Sequence, residues 1–112
     1  MAYIKRSFNP ASAEMKGAEG VKMQVLIGAD EGAPNFVMRR FLVAPGGHSP
    51  RHQHDYEHVV YILAGSGTLF ASNQEFDLEA GFSLLVSPDE EHQFLADKGE
   101  ELEFLCTIPR VE

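Results

Sequence analysis

Pro45-Gly46-Gly47-His48-Ser49-Pro50-Arg51-His52-Gln53-His54-Asp55-Tyr56-Glu57-His58-Val59-Val60-Tyr61-Ile62-Leu63-Ala64-Gly65-Ser66-Gly67 is the stretch whose reading decides the rest of the chain. It opens on turn residues, carries three closely spaced histidines, runs into an apolar β-branched segment and closes on a second turn. On an extended strand, residues two apart share a face, so the imidazoles of His52 and His54 point the same way. Asp55-Tyr56-Glu57 is polar enough to bend or bulge before His58. Far along the chain, His92 follows the turn Pro88-Asp89-Glu90-Glu91 and shares a face with Phe94. Neutral imidazole is a favoured ligand of first-row transition metals. Two adjacent strands and a later one can therefore bring His52, His54, His58 and His92 onto one ion. A lone His-x-His is more often a surface feature, but here a Gly-rich turn precedes the cluster and a strand follows it. His48, beside Gly47, fits no ligand geometry and is expected to be a solvated loop residue.

Working outward, turn residues punctuate the whole chain: Gly28 to Gly32, Ser72-Asn73, Ala80-Gly81, Pro88-Asp89 and Asp97-Lys98-Gly99. Between them lie short runs rich in Val, Ile, Leu, Phe and Tyr. These predict strands at Val21 to Ile27, Phe36 to Val43, His58 to Leu63, Thr68 to Ala71, Glu75 to Leu78, Phe82 to Val86, Gln93 to Leu95 and Leu102 to Ile108. Short strands at regular spacing make an all-β sandwich or barrel. A helical turn is expected over Ala11 to Lys16, with Asn9-Pro10 at its start and Gly17 after it.

Pleat parity sorts the faces. Leu102, Phe104, Cys106 and Ile108 share one side of the last strand, and Glu101 and Glu103 share the other. His58, Val60 and Ile62 share one side of the central strand, while Val59, Tyr61 and Leu63 form an apolar stripe opposite. That stripe needs a cover. The N-terminal segment is one source and a second subunit is the simpler one, so a homodimer is expected.

Composition bounds the partners. The 112 residues suit one domain, with an N-terminal arm to about residue 20 and a barrel over about 21 to 110. Seventeen acidic against nine basic side chains give a net charge of −8, which argues against nucleic acid and anionic membranes. No apolar run approaches the roughly eighteen residues of a bilayer span. The N-terminus lacks the apolar core of a secretory signal, and the single cysteine, Cys106, fits a reducing compartment. A cytoplasmic location is expected.

Two sets of residues carry a resemblance. Pro45-Gly46-Gly47, Arg51-His52-Gln53-His54 and Tyr61 to Gly67 resemble the first motif of the cupins, and Gly81, Pro88 and His92 resemble the second. The likeness covers about residues 36 to 108. It implies a double-stranded β-helix, or jelly-roll barrel, with a metal inside. The family usually places a glutamate ligand three or four residues past the second histidine of the pair, where this chain has His58 and Val59. Glu57 is one residue too early and on the opposite pleat phase. Glu90 and Ala96 stand where the second motif usually has glycine and asparagine. The four-histidine pattern is similar to very small bacterial cupins that carry manganese, and Ala33 to Arg39 with Phe104-Leu105-Cys106 strengthens that comparison. Ligand type alone ranks zinc, copper, nickel or iron above manganese, and cobalt is compatible. The resemblance alone puts manganese first, at one ion per chain.

Four neutral ligands leave the ion's charge uncompensated, and ligands on one barrel wall leave its other side open. Val60, Ile62, Phe94, Phe104, Cys106 and Ile108 are expected to face the same interior, as core or as a substrate pocket. The resemblance places Phe104 and Cys106 beside the metal opening. No inward carboxylate or lysine suits acid–base work, and Cys106 is expected to be a small buried hydrophobe rather than a nucleophile. Arg39 and Arg40 are consecutive, so one of them faces inward or toward a rim, where it would hold an anionic substrate. The function expected is an oxidoreductase using dioxygen or peroxide on a small, largely apolar substrate, a dioxygenase-like alkene cleavage among the possibilities. The alternative is a non-catalytic module that binds or senses a metal-chelating small molecule. A sugar-type isomerase or lyase fits less well, because such sites need polar groups. No catalytic residue is assigned.

Overall fold

This computed structural model describes residues 2–13 and 15–111. Its strands are β1 (Ala11–Ser12), β2 (Glu19–Ile27), β3 (Phe36–His48), β4 (His58–Ala64), β5 (Ser66–Ala71), β6 (Gln74–Glu79), β7 (Ser83–Val86), β8 (His92–Ala96) and β9 (Leu102–Pro109). A 3₁₀ turn at Ala29–Glu31 is the only helix among the described residues, and it is far too short to cross a membrane. The strands form one curled antiparallel sheet in the order β6-β5-β8-β3-β9-β4-β7, with β2 on β3 and β1 on β2. This is the all-β architecture expected from the turn spacing, in the jelly-roll form that the resemblance implied.

β3 organises the fold. Met38 to Val43 lie between β2 and β9, whereas His48 keeps Glu19 of β2 on one side and takes Leu95 of β8 on the other. The switch falls at Pro45-Gly46-Gly47, expected above to end the strand. It bends the strand instead, with Gly46 at φ +75, so β3 turns the barrel corner and carries on. At Gly65, the single residue between β4 and β5, φ is +82 and a Cβ would run into the carbonyl oxygen of Glu101. Only glycine fits there.

The period-two pattern holds on each wall. His58, Val60 and Ile62 of β4, His92, Phe94 and Ala96 of β8, and Leu102, Phe104, Cys106 and Ile108 of β9 are all buried. Val43, Ile62 and Leu102 are wholly inaccessible and form the centre of the core. Truncating Ile62 to alanine there would cost about 2–5 kcal/mol, the usual range for a buried aliphatic.

The helical turn expected over Ala11 to Lys16 is not formed by the described residues, and Glu14 lies outside them. Ala11 and Ser12 pair with Met23 and Lys22 of β2, and a turn follows at Lys16-Gly17. The open edge of β2 offers a ladder that an isolated single helical turn cannot match. The arm therefore extends the sheet at β2, and the outer stripe stays bare there: Val59 and Tyr61 are 55% and 46% exposed. Leu63 is half-buried.

Candidate metal centre and its pocket

Residues 49–57 connect β3 to β4 outside any strand, so His52 and His54 do not share a pleat as the extended reading expected. They are placed instead by backbone bonds to β8 and the turn before it. The His52 amide donates to the His92 carbonyl at 3.1 Å, and the His92 amide donates back at 2.9 Å. The Asp89 amide donates to the His54 carbonyl at 2.6 Å. His58 begins β4 on its buried face.

The rings converge. Centroids are 4.3 Å apart for His52 and His54, 5.0 Å for His52 and His92, and 5.8 Å for His54 and His92. One nitrogen from each of these three lies within 4.8 Å of the others, close enough that small ring movements would bring all three onto a shared ion. His58 stands outside that tight group but beside it, its ring 5.1 Å from His54 and 4.9 Å from His92. Its Nε2 is buried without a hydrogen-bond partner. Tyr56, passed over in the sequence as part of a polar bend, stacks on His54 at 5.0 Å.

The outer nitrogens are oriented too. Nδ1 of His92 lies 2.9 Å from the Glu90 carbonyl, which fixes the proton on Nδ1 and frees Nε2. Glu90 is itself held by the Ser72 hydroxyl at 2.7 Å and the Ser87 amide at 3.0 Å, and those donors keep its carboxyl below the usual range. Nδ1 of His58 lies 3.3 Å from Sγ of Cys106. Burial, aided by the neighbouring histidines and Arg39, lowers His52 to about 4 and His58 to about 3. His54 is lowered chiefly by the same burial. At neutral pH these rings are in the uncharged form that metals bind. Burial pushes the Cys106 thiol up, against the pull of Arg39.

His48 differs from the loop residue expected. It ends β3, is half-buried, and points Nε2 at Glu19 across 3.6 Å. It is not part of the three-histidine group. Glu57 is exposed.

The histidines close one end of a cavity of about 50 Å³. Phe94, Phe104 and Cys106 border it. Val60, Ile62 and Ile108 are buried on the same pleat phase but do not border it: Val60 and Ile62 sit level with Cys106 and Phe104 on the neighbouring strand, and parity fixes a side chain's face, not which part of the curled sheet the cavity lies against. Phe104 is 2% exposed and stacked between Phe41 (5.0 Å) and Phe94 (4.5 Å), so it is the floor of the cavity. Arg39, Phe41 and Val43 line it from β3. Their alternation in the sequence was the available signal, since a buried Val43 puts Arg39 inward and Arg40 outward. Arg40 pairs with Glu103 and stacks on Phe8. Met15, from the arm, borders the same cavity.

Residues 39–108 match the family model of the cupin domain, Cupin_2. The chain belongs to the cupin family. This cupin is 38% identical over 72 residues to a 1-methylthio-D-xylulose 5-phosphate methylsulfurylase of Rhodospirillum rubrum, covering 63% of the chain and 46% of that protein. It is 32% identical over 76 residues to Auxin-binding protein 1 of Arabidopsis thaliana, covering 60% and 38%. The chain thus spans less than half the length of these curated relatives. Among solved structures, the polyketide cyclase RemF of Streptomyces resistomycificus superposes with a TM-score of 0.87 at 28% identity, covering 96% of this cupin and 80% of that chain.

Proposed function

We propose that this cupin is an oxidoreductase that holds one divalent metal on His52, His54, His58 and His92 and acts with dioxygen or a peroxide on a small, largely apolar substrate. The observation that carries the reading is the orphaned Nε2 of His58, buried beside three converging imidazoles at the end of a phenylalanine-floored cavity. A buried ring nitrogen without a partner is costly unless something binds it, and an ion shared with His52, His54 and His92 is the partner that fits. Only one tautomer then serves His58: Nδ1–H donates to Cys106, and Nε2 carries the lone pair. Arg39 points Nη2 at the same sulfur from 3.1 Å, which suits Sγ as acceptor of both bonds.

Neutral imidazole donors fit a late first-row ion, and the resemblance to four-histidine cupins moves manganese to the front. A divalent ion held there supplies Lewis acidity and redox chemistry toward dioxygen or peroxide. The chain's own part is to exclude water and grip an apolar body with Phe41, Phe94 and Phe104. Among the described residues bordering the cavity, the titratable side chains other than histidine are Arg39 and Cys106, and none of them is a carboxylate or lysine suited to proton abstraction. That composition favours oxidative alkene cleavage over sugar-type isomerisation.

A second reading, a non-catalytic small-molecule binder, draws on the likeness to an auxin-binding protein. The two separate in one experiment. Protein purified without an affinity tag is analysed for metal, and oxygen uptake is followed with a panel of small alkenes before and after chelation. Metal-dependent uptake supports the oxidoreductase; metal-replete protein that consumes neither oxygen nor peroxide with any of them overturns it in favour of the binder.

A further inference from the structure

Arg39 is a cation with no counter-charge among the described residues. It lies on β3 opposite Cys106, its guanidinium carbon is 5.0 Å from the Phe41 ring, and it borders the same cavity as the histidines. Among the described residues no carboxylate pairs with it, whereas Arg40 next to it is paired with Glu103. Its polar contacts run through one nitrogen: Nη2 lies 3.1 Å from Cys106 Sγ and 3.4 Å from His58 Nδ1. Nε is buried with no partner at all. A guanidinium presents five donors in a fixed fork matched to carboxylate oxygens, so most of its capacity here is unused. The chain as a whole carries −8, yet among the described residues no acidic side chain borders this cavity. A cation in an apolar, water-poor pocket attracts an anion far more strongly than it would at a screened surface.

We propose that Arg39 is the anion anchor of the pocket, and that the ligand is a compact organic anion, a carboxylate or enolate, on a short apolar body. The oxygens face Arg39 and the body lies over the phenylalanines. A cavity volume of about 50 Å³ suits a compact anion on the scale of a short 2-oxo acid. The inference rests on the cavity being the substrate site, and it narrows the substrate class of that site without depending on which metal is bound. A purely structural Arg39, there only to orient Cys106, predicts no preference for charge in the ligand.

Pyruvate and its neutral isostere pyruvamide are titrated into wild type, Arg39→Gln and Arg39→Lys, followed by ¹H–¹⁵N NMR, in metal-loaded and in chelator-stripped protein. Wild type is expected to bind pyruvate at least about tenfold more tightly than pyruvamide. Arg39→Gln abolishes the preference, and Arg39→Lys restores part of it. The preference persists, reduced, in stripped protein. Equal binding of the two ligands by wild type overturns the proposal, as does a preference that survives in Arg39→Gln. If Arg39→Gln does not fold, the wild-type comparison and the Lys variant decide alone. An Arg39-dependent preference in protein that consumes no oxygen leaves the anchor standing and removes the oxidoreductase. Oxygen uptake with a preference indifferent to Arg39 does the reverse.

Discussion

The sulfur of Cys106 lies 3.3 Å from Nδ1 of His58, joining β9 to the first residue of β4 through side chains. A hydrogen-bond acceptor behind an imidazole sets its tautomer and stiffens the ring, which is how residues that never touch a metal tune its binding.

Cys106→Val removes that acceptor with little change of volume. Metal affinity is expected to fall by about 10–100-fold, the usual effect of losing such support. At saturating metal, activity should remain measurable, as expected of a thiol that serves as a small buried side chain and not as a nucleophile. A chelator competition and an oxygen-uptake assay at high metal check both halves; complete inactivation with metal in place would give the sulfur a direct chemical role.

His54→Ala should weaken metal binding by more than about tenfold. His48→Ala, on a residue outside the ligand group, should leave it unchanged. Equal occupancy of the two variants in elemental analysis would sink the assignment of His54.

His58→Glu would place a carboxylate beside the ion, stabilise its trivalent state and lower its reduction potential. His58→Ala would leave one fewer ligand. Voltammetry of wild type and both variants, with metal content checked, reads the difference. An unchanged potential in His58→Glu would mean that His58 does not contact the ion.

In metal-free protein, His52 and His58 stay neutral down to about 4 and about 3, against 6.5 for the ordinary side chain. Below about 6.5 the unfolded chain binds protons that the folded chain refuses, so stability is complete above that pH and declines as pH falls toward 4 and 3. Thermal unfolding after chelation should show Tm falling already between about pH 6.5 and 5, before most carboxylates titrate. His58→Gln should flatten that slope; a wild-type Tm constant across the interval would contradict the burial argument.

The outer face of β3, β9, β4 and β7 brings Met38, Thr107, Val59 and Leu85 into one row, with Tyr61 in the next. Leu85 is 61% exposed and Val59 55%. We propose that a second copy covers this face, since an apolar sheet surface of this kind is rare on a monomer. Light scattering at micromolar concentration should give twice 12.4 kDa, and Val59→Glu should give the single mass. A monomeric wild type would refute it.

Period-two patterning carried the architecture, because alternation along β4, β8 and β9 is a local property that the chain displays directly. The histidine spacing carried the ligand candidates, but for a reason that differs from their placement. His52 is placed by its bridge to His92 and His54 by the Asp89 amide, not through a shared pleat. Such a bridge is a long-range pairing with no local signature. The arm failed similarly: Ala11 and Ser12 follow the free edge of β2, which outweighs weak helical propensity. Which residues border the cavity also escaped, since Ile62 and Phe104 share a phase and a level and differ only in the strand that carries them.

The His52–His92 bridge has a kinetic consequence. It joins segments distant in the chain, so the ligand set assembles only after the intervening strands have folded back into place. Closing so long a stretch of chain is costly in entropy, and the prediction is that this contact follows the folding nucleus. Interactions of that kind slow the escape from the native state without hastening its formation. Metal on these histidines should act as a brake on unfolding alone: refolding should proceed at one rate with or without it, and only the lifetime of the folded chain should lengthen.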